Sequence, residues 1–212
     1  MAPGTSPSPA PQGSRFDCGH LCLDLLATTH PEEQLDSAER LHAWITAARI
    51  VPENTSLDHI AADWLIGFRE LRGHIGQLVR TESDRTTDYR PFDISLARVN
   101  ELARAATPAP RAVRAVRTDD GTPTLTPALT LTRTLDRPPD CAALLAVIAR
   151  DTVELLTDPV ACASLRQCAG DNCPIVYVDT SRGRRRRWCS SEICGNRERV
   201  ARHRRRAGLA RA

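Results

Sequence analysis

Cys168-Ala169-Gly170-Asp171-Asn172-Cys173 and Cys189-Ser190-Ser191-Glu192-Ile193-Cys194 decide how this chain is read. Together they make the pattern Cys-x4-Cys-x15-Cys-x4-Cys, two close thiol pairs held apart by one short segment. Four thiolates in two pairs suit a closed tetrahedral site, the arrangement a structural zinc ion takes. An iron–sulfur or reactive-thiol role is the alternative for the same residues. Zinc is the expected cofactor, one ion in a structural role, with Cys168, Cys173, Cys189 and Cys194 as its ligands.

Between the pairs, Pro174-Ile175-Val176-Tyr177-Val178 is β-branched and aromatic and predicts a strand. Asp179-Thr180-Ser181-Arg182-Gly183 is turn chemistry, so Arg184–Trp188 is expected to return as the second arm of a hairpin. Ser190 or Ser191 then caps a helix reaching about Arg206, with Cys194 in its first turns. The result is a treble-clef-like finger, one ligand pair on a hairpin and the other at a helix start. Few large apolar side chains lie here, so Tyr177 and Trp188 are the expected mini-core and the metal is expected to supply the folding energy. Gly195 is read as allowing close backbone approach to the metal, and Asn196 as a hydrogen-bond partner of the ligand loops.

The same region carries a lopsided charge. Residues 166–212 hold 13 Arg against 4 acids, a net +9, while residues 1–165 carry −6 of the overall +3. All 29 basic residues are Arg, which offers a planar fork to phosphate and guanine where Lys offers a point charge. Arg184, Arg185, Arg186 and Arg187 form a run, and Arg197, Arg199, Arg202 and Arg206 follow on the helix. Arg199, Arg202 and Arg206 share one stripe at i, i+3, i+7. A solvated basic face is the bland reading. Against it, so many uncompensated charges repel one another, and nucleic acid relieves that repulsion through counterion release. Nucleic acid is the expected partner of these eight arginines.

Upstream, helical periodicity dominates. Leu57 through Val79 keep i, i+3, i+4, i+7 spacing, with Ser56 as the expected N-cap. An earlier helix begins near Asp36 or Ser37, a third runs from about Asp93 to Ala106, and a fourth is entered through Pro138-Pro139-Asp140. Ala112–Thr118 and Thr124–Thr132 flank Asp119-Asp120-Gly121, a hairpin signal. The fold class is therefore mainly α: a multihelical N-terminal domain with one small β-hairpin, then the finger. The expected division is a disordered Pro-rich tail over 1–15, a helical regulatory domain over 16–160, and the finger with its basic helix over 161–212.

No phosphate-binding loop, His-Glu-x-x-His or nucleophile elbow is present, so no enzyme is expected. His59 and Asp63 are read as a surface pair. Cys18 and Cys22, read as sharing a helical face around His20, count as buried thiols among leucines, as do the lone Cys141 and Cys162. The first residues lack the apolar core of a signal peptide and no stretch has the length of a membrane span. The expectation is a soluble cytoplasmic protein, nucleoid-associated if it binds DNA, with no membrane partner.

Along Leu165-Arg166, Cys168, Cys173, Asp179-Thr180-Ser181-Arg182, Arg186-Arg187-Trp188-Cys189-Ser190 and Cys194-Gly195-Asn196-Arg197, the chain resembles the CGNR zinc-finger family. Leu21-Cys22-Leu23-Asp24-Leu25 resembles the start of the ABATE-type helical domain commonly fused to that finger and described as a stress-induced transcription regulator. The resemblance implies zinc ligation by the four cysteines and a DNA-binding, transcription-regulating finger. It leaves the helical domain to sense a small-molecule effector or to form a homodimer. The alternative is a zinc-stabilised protein–protein interaction module whose basic helix docks an acidic protein, the chain's own N-terminal domain included.

Overall fold

A computed structural model describes residues 16–81, 89–114 and 131–209. About half of the described residues are helical, and they hold seven helices and two small antiparallel hairpins. The chain opens with α1 (Leu21–Ala27), α2 (Ala38–Ala47), α3 (Ala62–Thr81) and α4 (Arg90–Leu102). Strands β1 (Pro110–Arg114) and β2 (Leu131–Leu135) pair antiparallel, Pro110 opposite Leu135. Then come α5 (Cys141–Thr157), α6 (Pro159–Cys162), the paired strands β3 (Leu165–Gln167) and β4 (Val176–Val178), and α7 (Cys194–Leu209). The mainly α class with a C-terminal finger is as expected from the sequence.

Helix α3 is the hub, packing against α1, α2, α4 and α5. Its apolar stripe, Phe68, Leu71, Ile75 and Leu78, is fully buried, and Phe68 meets Trp44 of α2 edge-on at 6.2 Å. Helix α1 is short but buried on nearly every side, from Cys22 to Ala27. A helix without a polar face belongs in the middle of a core, and α1 sits against both α3 and α5. Ser37 caps α2 by accepting from the Arg40 amide, and Asp140 caps α5 by accepting from the Ala143 amide. Each accepts one of the orphan donors at a helix start.

Several expected boundaries move. Helix α3 starts at Ala62, five residues after Leu57, and Ser56 bonds to Asp58 instead of capping it. Leu57 is buried in a separate turn closed by the Ile60 amide on its carbonyl, a feature that helical spacing alone imitates. Helix α4 runs from Arg90 to Leu102, earlier at both ends than expected, because Pro91 takes a first-turn position where its missing N–H costs nothing. The β-hairpin begins at Pro110, before the expected Ala112, and ends at Leu135, after the expected Thr132; residues 115–130, with the expected turn, lie outside the described residues, as does the 1–15 tail. Cys18 precedes α1, so it shares no helical face with Cys22, although both thiols are buried. His59 bonds to the Pro139 carbonyl at 2.7 Å and stacks edge-on Trp64. That contact, between two segments of the body, replaces the expected pairing with Asp63.

Asp24 lies on α1 with 8% of its surface exposed, and its Oδ1 accepts from the Cys18 amide at 3.0 Å. Burial pushes this carboxyl up to about 7 against the counteracting Cys18 bond. Folding therefore takes up a proton between the unfolded value of 3.8 and about 7. The stabilisation from this group is full below the unfolded value and is lost as pH rises through 7. Asp24→Asn keeps the acceptor and removes the titration. Its denaturation free energy relative to the parent should climb by roughly 2–4 kcal/mol between pH 4 and 7, then stay level. A constant difference across that window would contradict the assignment.

Candidate metal centre

The first thiol pair sits in the knuckle between β3 and β4. Arg166 stands opposite Tyr177 in the register, and the Cys168 amide donates to Ile175 O at 2.9 Å, which closes the hairpin. Asn172 turns the knuckle with φ of 57°, a left-handed conformation that Asn tolerates better than most residues. The second pair brackets the start of α7. Ser190 Oγ accepts from the Glu192 and Ile193 amides, and Ser190 O accepts from Gly195 N, so Cys194 opens the helix.

These elements bring all four buried thiols together, their Sγ atoms within 4.8 Å of one another. Cys173 to Cys189 is 3.6 Å and Cys189 to Cys194 is 3.5 Å. A disulfide needs about 2.05 Å, so these are not bonded pairs. Thiolates at about 2.3 Å from a tetrahedral zinc ion stand roughly 3.8 Å apart, close to what the cluster shows. The donor set fits zinc in kind, number and spacing.

Electrostatics within the cluster are uneven. Burial raises the Cys168 thiol, but amide N–H groups of Cys189 (3.3 Å) and Gly170 (3.4 Å) point at its sulfur and bring it below the ordinary thiol value. Burial pushes Cys173 and Cys194 up to about 11. The fold thus readies the Cys168 thiolate by hydrogen bonding and leaves Cys173 and Cys194 to be deprotonated as a cation enters.

The expected hairpin between the pairs is corrected. Strand β4 pairs backward with Leu165–Gln167, and Arg184–Trp188 is an irregular loop. Asp179 organises that loop by accepting from the Ser181 and Arg186 amides, and the Ser181 side chain first, then these amides, hold its carboxyl below the usual carboxylate range. The fully buried Tyr177 donates its hydroxyl to Arg186 O at 2.7 Å, and the Arg186 guanidinium covers its ring at 4.4 Å. The same guanidinium donates to the carbonyls of Trp188, Cys189 and Asp17, and pairs with the Asp17 carboxylate at 3.7 Å. Arg186 is therefore a clamp on the ligand loop, not a free contact for nucleic acid. Only the spacing Asp179-x-Ser181 hinted at this organisation.

That clamp also ties the finger to the body. Val178 N donates to Cys18 O at 2.8 Å, and Gly19 lies against Val178 with φ of 96°. A Cβ at Gly19 would stand 3.1 Å from the Val178 Cβ, so both the conformation and the space there call for glycine.

Two further expectations change. A methyl on Gly195 would meet only Ser190 O at 3.5 Å and the Trp188 ring at 3.6 Å, which is ordinary contact. On Gly170 it would stand 3.3 Å from Cys194 Cβ and 3.5 Å from Cys168 Sγ. Gly170 is the glycine pressed against the thiols. Gly170→Ala is expected to weaken zinc retention about tenfold in a chelator competition, at roughly 1.4 kcal/mol of strain, within the range for overpacking. Gly195→Ala is expected to stay within threefold. The reverse order would contradict the geometry. Asn196 is exposed and makes none of the side-chain bonds that hold the ligand loops. Trp188, half-buried, covers Gly195 as the mini-core requires, and Arg187 lies 5.3 Å from its ring centre.

Arg184, Arg185 and Arg187 are exposed on the loop, and Arg197 is exposed on α7. Arg199 folds back toward Gly195 O and Ser191 O, and Arg202 lies 4.0 Å from Glu198. The Arg206 side chain is outside what is described. Among the described residues no helix is long and apolar enough to cross a membrane.

Two family matches cover most of the chain. Residues 19–159 match the family described as "Putative stress-induced transcription regulator", ABATE, and residues 164–207 match the CGNR zinc finger. No curated protein matches the chain.

Proposed function

The chain belongs to the ABATE family and carries a CGNR zinc finger, and from that premise we propose that it is a zinc-dependent, DNA-binding transcription regulator without enzymatic activity. Cys168, Cys173, Cys189 and Cys194 hold one structural zinc ion. When bound, zinc neutralises part of the thiolate charge and fixes the knuckle to the start of α7. The chain's own residues do the rest. Arg186 and Asp179 hold the loop on which Arg184, Arg185 and Arg187 are exposed, and Arg199 and Arg202 are exposed on α7. These five contact phosphates.

The observation that carries this reading is the exposure of α7. Among the described residues it packs extensively against no other helix or strand. Its basic surface is open, which favours an external polyanion over the acidic body of the same chain. The test is a titration of zinc-loaded full-length protein onto a labelled random-sequence duplex near physiological salt. Binding is expected at a Kd of about 10⁻⁶ to 10⁻⁴ M and should vanish when a chelator strips the metal. An acidic polypeptide that competes out the duplex at equal charge would instead favour the protein-interaction module.

A further inference from the structure

The faces of α7 differ in chemistry. At 100° per residue, Cys194, Gly195, Glu198 and Ala201 fall on one side of the helix, and all four are buried or half-buried toward the metal knot. Arg202 falls within that arc and Arg199 at its edge, and both are engaged with their own helix. The remaining arc holds Asn196, Arg197, Val200, His203 and Arg204, with Ile193 in the turn just before the helix, and every one of them is exposed. Ile193 keeps 51% and Val200 43% of their surface in water, although each is large and apolar.

A face built only for phosphate needs charge and nothing else. This one spends two positions on exposed aliphatic side chains and one on an uncharged amide that bonds to no loop. Arg197 borders a shallow crease with Asp171 and Gly170 but forms no ion pair there among the described residues. An amide, a guanidinium and an aliphatic group are the three side-chain types that distinguish base edges in the major groove. Asn pairs with adenine N6 and N7, Arg with guanine O6 and N7, and an apolar group meets the thymine methyl. They lie in the first two turns of the helix, where recognition helices address the bases. Arg199 borders this face on the helix, and Arg184, Arg185 and Arg187 are exposed on the neighbouring loop, free for the phosphate contacts that position without specifying.

We propose that the outward face of α7 reads base edges in the major groove of duplex DNA, with Asn196 on an adenine, Arg197 on a guanine and Val200 on a thymine methyl. This inference rests on the DNA-binding reading above and deepens it, because it makes the finger sequence-specific.

The experiment is selection of zinc-loaded full-length protein on a randomised duplex library, followed by measured affinities for the enriched and scrambled duplexes. The parent should enrich a short motif containing A, G and T. Asn196→Ala should lose preference at one A·T pair by about 5- to 100-fold, and Arg197→Ala at one G·C pair by a similar factor. Val200→Ala should cease to distinguish thymine from uracil at one position. All three should bind scrambled duplex within about threefold of the parent and retain zinc. Asn196→Asp serves as a second variant should the alanine fold poorly, with the same loss expected. A parent that binds duplex with strong salt dependence yet enriches no motif overturns the proposal and leaves DNA binding standing. Unchanged motifs in all variants do the same. Failure to bind any duplex while zinc is retained overturns both readings.

Discussion

Chelation of the metal from the folded protein is expected to remove about a fifth of its helical signal and leave the remainder cooperative. The fraction follows from the structure: α7 contributes 16 of the residues in the seven helices, and the body supplies most of the buried side chains of the one core that runs through both parts. The finger's share of that core is small. Its buried side chains are mostly the four thiols, Ile175, Val176, Tyr177 and Val178, too little apolar area to offset the ordering of its loops. A structural zinc ion supplies on the order of 10 kcal/mol to such a site. Cys194→Ser should behave like chelation, since it removes the ligand that starts α7. Circular dichroism before and after metal removal, with thermal melts of the residual structure, checks this. Loss of more than half the helicity would show that the body depends on the metal.

The second large effect concerns the loop arginines. Replacing Arg184, Arg185 and Arg187 together by Ala should weaken duplex binding about 100-fold at 0.15 M salt and reduce the log–log salt slope by roughly 2 to 3, without loss of zinc. Arg186→Ala should do something different. Its guanidinium bonds to Trp188, Cys189 and Asp17, so its removal loosens the ligand loop and the joint to the body. Zinc retention and finger stability should fall first, with any DNA effect following from them. If the triple variant and Arg186→Ala proved equivalent, the distinction between clamp and contact would be wrong.

Much of this was legible in the residues. The cysteine spacing names the four thiols that the fold brings together, because thiolate chemistry allows few other uses for that pattern. Ser37 and Asp140 announce their helices because a side-chain acceptor at a helix start is a local property. What escaped depends on tertiary context. Leu57 has helical spacing, yet its turn is set by contacts to the segment before α5. The strand partner of β4 is the short Leu165–Gln167, which carries no hairpin signal of its own. One arginine in a run of four is a structural clamp, and nothing in the run distinguishes it; only the positions of Asp17 and Tyr177 do. Likewise Gly170 and Gly195 look alike in sequence, and only the distance to the thiols separates them.

The central claim is that a metal-held finger presents arginines to nucleic acid, and salt dependence addresses it most directly. Affinity of the zinc-loaded full chain for duplex DNA should be measured from 50 to 300 mM monovalent salt. With four to six phosphates engaged, the plot of log K against log salt should be linear with a slope of about −4 to −5. A flat line, or a slope unchanged after the metal is removed, would contradict the account.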